Sequence, residues 1–156
     1  MAFTATHVMG KDAKLYRNTG TNASPTWNEI PNCRDLNVSD SMTDVDVSAR
    51  DGNGFAMSDV GLQTLELTFQ MIGDYSDADF VALREGYYNR AAIQFAVASG
   101  AIATAGTQYL KFVGKIISFE RGEELDGVTM YDVTIKPTRA SESGTLLVPS
   151  WVTVSS

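Results

Sequence analysis

Between Thr64 and Met71 apolar and polar residues alternate without a fault. Leu65, Leu67, Phe69 and Met71 fall on one side, and Thr64, Glu66, Thr68 and Gln70 on the other. A repeat of two places successive side chains on opposite faces of a strand; a helix, with 3.6 residues per turn, would scatter them. The stretch must therefore be a strand with one buried face. The same pattern returns at 129–136, where Tyr131, Val133 and Ile135 point inward and Asp132 and Thr134 outward, and more briefly at Ile93, Phe95 and Val97. Residues 109–119 form a longer β-rich run, in part apolar on both faces. The segments 14–17, 34–38 and 45–49 carry less of the pattern and are further strand candidates. The chain reads as one mainly-β domain spanning 1–156, a length that suits a single core.

One helix interrupts the strands. Phe80, Leu83 and Tyr87 lie at i, i+3 and i+7, a stripe that predicts a helix over 77–89 packed on one face of the sheet. Ser76 stands where an N-cap belongs, with Asp79 three residues on in an approximate capping box. Asp77 and Asp79 in the first turn and Arg90 near the end suit the helix dipole. Gly86 lowers helix propensity by about 1 kcal/mol relative to alanine.

Two long stretches lack a period. Residues 39–61 read as a long acidic loop with a turn at Asp51-Gly-Asn-Gly54, and 139–156 as a C-terminal arm. That arm holds Leu146, Leu147, Val148, Trp151, Val152 and Val154, apolar surface that must dock on its own domain or on a neighbouring copy. Residues 1–12 read as an N-terminal arm. Charge is placed unevenly: from Asp35 to Asp79 there are ten acidic residues and one basic residue, Arg50, whereas residues 1–34 carry +2. An acidic middle beside a basic start allows head-to-tail contact between copies, or simply a solvated loop.

Most site chemistries find no residues to run on. His7 is the only histidine and lies in the terminal arm, a poor place to hold a catalytic base. Cys33 is the only cysteine, so neither an internal disulfide nor a cysteine zinc cage can form, and a buried free thiol is expected. Asp74, Asp77 and Asp79 could suggest a cation site, but helix capping accounts for two of them. The Asp51-Gly-Asn-Gly54 turn begins like a calcium loop, then places Phe55 at the next ligand position. Phosphate binding wants a basic face, and the middle of this chain is the reverse. No cofactor is expected, and no enzyme. The first residues lack the basic and apolar regions of a signal peptide and no apolar run approaches a membrane span, so a soluble chain made in a cytoplasm is expected.

The whole chain resembles the major tail tube proteins of long-tailed, siphovirus-type bacteriophages. The resemblance is carried by order and spacing over about residues 8–138. Gly10-Lys-Asp-Ala-Lys-Leu-Tyr-Arg17 is similar to the opening strand. Asp35-Leu-Asn-Val-Ser-Asp40 then runs into Asp44-Val-Asp-Val-Ser-Ala-Arg50. Leu65-Glu-Leu-Thr-Phe-Gln-Met71 is followed by Gly73-Asp-Tyr-Ser-Asp-Ala-Asp-Phe80 and the single helix. Ile93-Gln-Phe-Ala-Val-Ala-Ser-Gly100, Phe112-Val-Gly114 and Asp132-Val-Thr-Ile-Lys-Pro137 complete it.

The resemblance implies a β-sandwich or barrel of two packed antiparallel sheets with one helix. It also implies self-assembly into hexameric rings that stack into a hollow tube, the conduit for double-stranded DNA. Tail-tip, tape-measure and tail-terminator proteins would be the partners, and the virion tail the location, after assembly in the host cytoplasm. A lumen that lets DNA slide should be polar and not basic. The expected lining is Thr64, Glu66, Thr68 and Gln70, with Asp132 and Thr134 as second choice. Contacts between subunits or rings are expected from Lys11, Lys14 and Arg17 on the basic side. On the other side stand Asp40, Asp44, Asp46, Arg50, Asp51 and Asp59 in the 39–61 segment, and Trp151 in the C-terminal arm. Two other readings compete: the tube of a bacterial contractile secretion system, and a β-sandwich that binds glycan or a host surface through Trp27, Tyr87, Tyr88 and Trp151.

Overall fold

The structure, a computed structural model, describes His7 and residues 9–155. The strands are β1 (Lys14–Asn18), β2 (Trp27–Glu29), β3 (Cys33–Asp46) and β4 (Ser58–Ile72), followed by the helix α1 (Ala78–Tyr88). After it come β5 (Ile93–Ala98), β6 (Gln108–Gly122), β7 (Met130–Pro137), β8 (Ala140–Glu142), β9 (Thr145–Leu147) and β10 (Ser150–Thr153). All pairings are antiparallel, and the main path runs β2-β1-β5-β6-β7-β4-β3, with β10 beside β6 and a separate β8–β9 hairpin. The two packed sheets expected from the sequence are thus two halves of one hydrogen-bonded path. The long strand β6 joins them: its first part pairs with β5 and β10, its second part with β7. Gly114 is the residue that faces both Ile93 of β5 and Pro137 of β7. A Cβ there would lie 2.8 Å from both Ile135 Cγ2 and the Lys136 carbonyl oxygen, so only glycine fits this crossing.

The inward residues of the alternating strands meet in one core. Leu65, Leu67, Phe69 and Met71 of β4 pack with Phe95, Phe112, Tyr131, Val133 and Ile135. Fully burying a side chain of this size contributes roughly 1.5–3 kcal/mol. A smaller cluster on the opposite face of β1, β5 and β6 holds Tyr16, Ala96, Ala98 and Tyr109. The run expected to be buried on both faces is so at its start, where Tyr109 joins one cluster and Leu110 the other.

The helix covers the main core, with Phe80 and Leu83 buried and Tyr87 half-buried. Phe80 meets Tyr131 edge-on, ring centres 5.0 Å apart. The cap differs from the expected one. Asp77, not Ser76, is the N-cap and accepts from the backbone N–H groups of Asp79 and Phe80. Ser76 instead donates through its N–H and Oγ to Asp74 Oδ1, an Asx turn that competes for it. These bonds hold the Asp74 carboxyl below the usual range. Gly86, a weak helix former, is where the helix touches β5: a Cβ would lie 2.7 Å from Ile93 Cδ1.

Two expectations about irregular segments are corrected. The 39–61 stretch is not a loop: β3 runs to Asp46 and β4 starts at Ser58, so it is the outer half of a long hairpin. Both faces of that half are exposed, so nothing imposes the apolar–polar alternation by which a strand is recognised. The C-terminal segment is not an irregular arm either. Ser143 and Gly144, both at positive φ, turn β8 into β9, and β10 then adds to β6. It docks on its own domain. Glu142 accepts from the N–H groups of Asn22 and Ala23, and Val152 and Val154 pack on the cluster around Tyr109. The N-terminal arm at 1–12 falls largely outside the described residues; its end, Gly10–Asp12, is a 3-10 turn.

Candidate assembly surfaces

The residues expected to line a lumen share one face of the sheet. Thr68 of β4 stands opposite Thr134 of β7, and Gln70 opposite Asp132, so Thr64, Glu66, Thr68, Gln70, Asp132 and Thr134 all project away from the core. Neighbouring strands extend the face: Asn37 and Ser118 complete the threonine row, Arg34 and Glu120 the row of Gln70 and Asp132. Lys136 lies beside Glu66 at 3.5 Å and opposite Lys115. Three cations (Arg34, Lys115, Lys136) face three anions (Glu66, Glu120, Asp132), so the face is polar and close to neutral. Sequence reasoning found its two inner strands and missed the flanking residues. On β7 the signal was available, since Lys136 continues the alternation of Asp132 and Thr134. On β6 a bulge at Ile117 breaks the count before Ser118.

The outer hairpin is the second surface. Asp40, Asp44 and Asp46 of β3 stand opposite Leu65, Val60 and Ser58, and Asp59 opposite Val45. Strand β7 pairs with β4 only from Leu67 onward, so the outer parts of β3 and β4 have only each other. Acidic side chains share this ribbon with apolar ones: Met42, Val45, Val47, Phe55, Met57, Val60 and Leu62 are all exposed, Leu62 at 83 %. Its end is ordered. The Val47 N–H donates to the Met57 carbonyl, and Ser48 Oγ both donates to that carbonyl and accepts from the Met57 N–H. A 3-10 turn at Arg50–Gly52, which contains Asp51, closes the tip, followed by Asn53 and Gly54 at positive φ. Ser48 also donates to Asp46, which lowers that carboxyl's pKa. Among the described residues no strand pairs with the outer edge of β3, which runs along the whole hairpin.

The basic residues of the start are mostly engaged within the subunit. Arg17 donates from Nε and Nη2 to Asp79 Oδ1, at 3.2 and 2.8 Å, in a half-buried pair that fastens β1 to the helix. Lys14 binds Glu29 at 3.0 Å, which raises the lysine's pKa. Lys11 is exposed in the 3-10 turn.

Trp151 projects from β10, 69 % exposed. Of the other aromatic residues considered for a glycan platform, Tyr88 is exposed, but Trp27 packs edge-on against Tyr109 and Tyr87 stacks on Phe119. Of the four, only Trp151 and Tyr88 are exposed. His7 is exposed, and no cluster of three His, Cys, Asp or Glu side chains occurs among the described residues. Cys33 is half-buried at the start of β3. Burial first, then the carboxylates of Asp77, Asp79 and Glu29, push its thiol up to about 12. It is therefore a neutral packing group at physiological pH. No helix among the described residues is long and apolar enough to cross a membrane.

Neither a protein-family model nor a curated protein sequence matches the chain. Solved structures do. The chain is similar to the subunit of the SPP1 tail tube, with a TM-score of 0.72 at 12 % identity, over 96 % of this chain and 81 % of that one. It is similar to a chain in the tail of an empty GTA particle refined with C6 symmetry, with a TM-score of 0.67 at 17 % identity, over 85 % of this chain and 95 % of that one. A chain of the anti-feeding prophage baseplate matches at a TM-score of 0.58 and 8 % identity, over 99 % of each chain. At these identities it is the fold that is shared. This chain is mainly β with one α-helix among the described residues, and shares the fold of those SPP1 and GTA tail chains.

Proposed function

We propose that the chain is the major tail tube protein of a siphovirus-type bacteriophage, a subunit that assembles into stacked hexameric rings around a DNA-conducting lumen. The observation that carries this is the outer hairpin: a two-stranded ribbon, apolar and acidic on both faces, with no support from the rest of the described chain. A two-stranded ribbon is marginal in water, so this one gains its place by packing on another copy. The unpaired edge of β3 supports edge-to-edge joining, because joining removes open strand backbone. The C6 symmetry of the GTA tail supports six copies per ring. Rings with heterologous faces stack into an open-ended filament. The near-neutral polar face suits a lumen wall, because a basic wall would hold phosphates. Asp40, Asp44, Asp46, Arg50, Asp51 and Asp59, with Lys11 and Trp151, are the residues proposed for contacts between copies. Tail-tip, tape-measure and tail-terminator proteins are the proposed partners, with assembly in the host cytoplasm.

The matches to contractile systems favour one alternative, a tube inside a contractile machine; they have lower TM-scores than those to the SPP1 and GTA tails. Negative-stain electron microscopy of the purified chain at rising concentration tests the reading. Hollow tubes or six-membered rings are expected; a monomer at every concentration, also in the presence of tail-tip components, would overturn it. For the lumen, Glu66→Lys and Asp132→Lys should leave tubes intact and reduce DNA delivery. Full infectivity of both variants removes that assignment.

A further inference from the structure

The hairpin tip and a groove on the same chain are complementary. The groove has a volume of about 580 Å³ and lies where the hairpin leaves the core. Leu65 and Leu110 are buried at its floor, Pro137, Val148 and Trp151 form its walls, and Asp40 is the one charged residue that lines it. Gln63 holds the Asp40 carboxylate in place, its Nε2 donating to both oxygens at 2.7 Å. Trp151 and Val148 leave 69 % and 62 % of their surface in water, a large apolar exposure for two residues flanking a concave site.

The tip carries the matching knob. Phe55 is 72 % exposed and is held by its own N–H, which donates to the Gly52 carbonyl. Arg50 stands beside it, the two residues lining one shallow concavity at the tip. Arg50 is the only cation between Asp35 and Asp79, and among the described residues it forms no ion pair. A preformed turn that presents one aromatic and one cation loses little conformational freedom on binding.

We propose that the tip of one copy seats in the groove of the next, Phe55 against Leu65, Pro137 and Trp151, and Arg50 on the carboxylate of Asp40. The inference rests on the tube reading and specifies which surface receives the hairpin. Charge and shape together choose the occupant. The groove offers a single anion over an apolar floor, and the tip offers a single cation beside an aromatic ring. Knob and groove are different patches of one chain, so the contact is heterologous and propagates from copy to copy instead of closing a pair. An aromatic anchor filling a desolvated pocket is the usual energetic centre of such an interface.

Charge reversal and cross-linking test it on the full chain. Arg50→Asp and Asp40→Arg, each alone, should raise the concentration needed for assembly by about tenfold or more, a loss characteristic of an anchor contact. Arg50→Asp combined with Asp40→Arg should recover most of that loss. Both side chains are exposed, so circular dichroism and Tm should stay those of the parent. In a Cys33→Ser background, Phe55→Cys protein mixed with Val148→Cys protein should form mixed disulfide dimers on oxidation, well above either protein alone. If the parent assembles while the single reversals assemble equally well, or the mixed disulfide does not form, the seat is overturned and the tube reading stands. A parent that never leaves the monomer overturns both.

Discussion

Strand β4 is two strands in one. Its inner half places Leu65, Leu67, Phe69 and Met71 in the core, with Leu67 and Met71 fully buried. Its outer half continues the same backbone in the same hairpin and leaves Val60 and Leu62 in water. Both halves pair with β3, each with one register shift; the supporting layer differs. The inner half pairs with β7 at its side and packs into a core shared with β1, β5, β6 and the helix; around Val60 and Leu62, the outer half has neither among the described residues. Residues of similar hydropathy therefore stabilise the subunit in one half and stay in water in the other, where the proposed reading gives them to assembly.

Substitutions along this strand should separate the two. The largest effect falls on the inner half. Phe69→Ala removes a buried ring and leaves a cavity, so urea unfolding of the monomer should show a loss of about 3–5 kcal/mol. A loss below about 1 kcal/mol would mean that the core closes without this strand.

Next comes the tie that holds the helix over the inner half. Arg17→Met leaves Asp79 half-buried without its cation, and a loss of roughly 1.5–3 kcal/mol is expected from removing one partner of a charged hydrogen bond. Asp77→Ala, which removes the N-cap, should cost about 1 kcal/mol. Because both act on the helix, which packs on the inner half only, neither should change the hydrogen exchange of the hairpin tip. Matching changes at the tip would show that the two halves are mechanically one.

Cys33 pairs with Met71 at the inner end of the hairpin, packed on the core, and makes the inner half sensitive to alkali. Its thiol has a folded pKa of about 12 against an ordinary value of 9.0. The fold thus favours the protonated form. This contribution to stability is complete below pH 9.0 and is lost as the pH rises toward about 12. Thiol-reactive dye at pH 8 should label the folded chain far more slowly than the unfolded one, and Cys33→Ala should flatten the alkaline decline in Tm. Equal labelling rates would place the thiol in open solvent.

The same contrast explains what could be read from the sequence. Where one face is buried, the chain announces it: 64–71, 129–136 and 93–97 show their period because the core enforces it. The helix stripe of Phe80, Leu83 and Tyr87 is legible for the same reason, and the polar residues of β4 and β7 fall on a common face as a corollary. Residues 39–61 were opaque as structure because a ribbon exposed on both sides has no core to write a period into its sequence. The C-terminal strands were opaque for another reason. They are three or four residues long, too short to show a repeat, and are fixed by contacts with Asn22, Tyr109 and Thr107 that lie far away in the chain. The residues proposed for assembly were legible as composition, an acidic segment with one arginine, and the turn at Asp51-Gly-Asn-Gly54 was legible too; that this turn closes a hairpin and displays Phe55 was not.

The smallest effect on stability is the most informative about function. Val60→Ser combined with Leu62→Ser changes two large apolar side chains in the outer half of β4. Both are already mostly in water, so the isolated subunit should change by no more than about 0.5 kcal/mol, the range of ordinary surface positions. The same pair in the inner half, at Leu65 and Leu67, would unfold the protein. If the outer half serves assembly, the variant should remain a well-folded monomer and fail to form tubes at concentrations where the parent does. Electron microscopy and sedimentation of one preparation report both quantities. Tubes formed at the parental concentration would return the ribbon to the status of a solvated extension. A fall in monomer stability of several kcal/mol would mean that these side chains are packed on their own domain, and the distinction between the two halves of β4 would vanish.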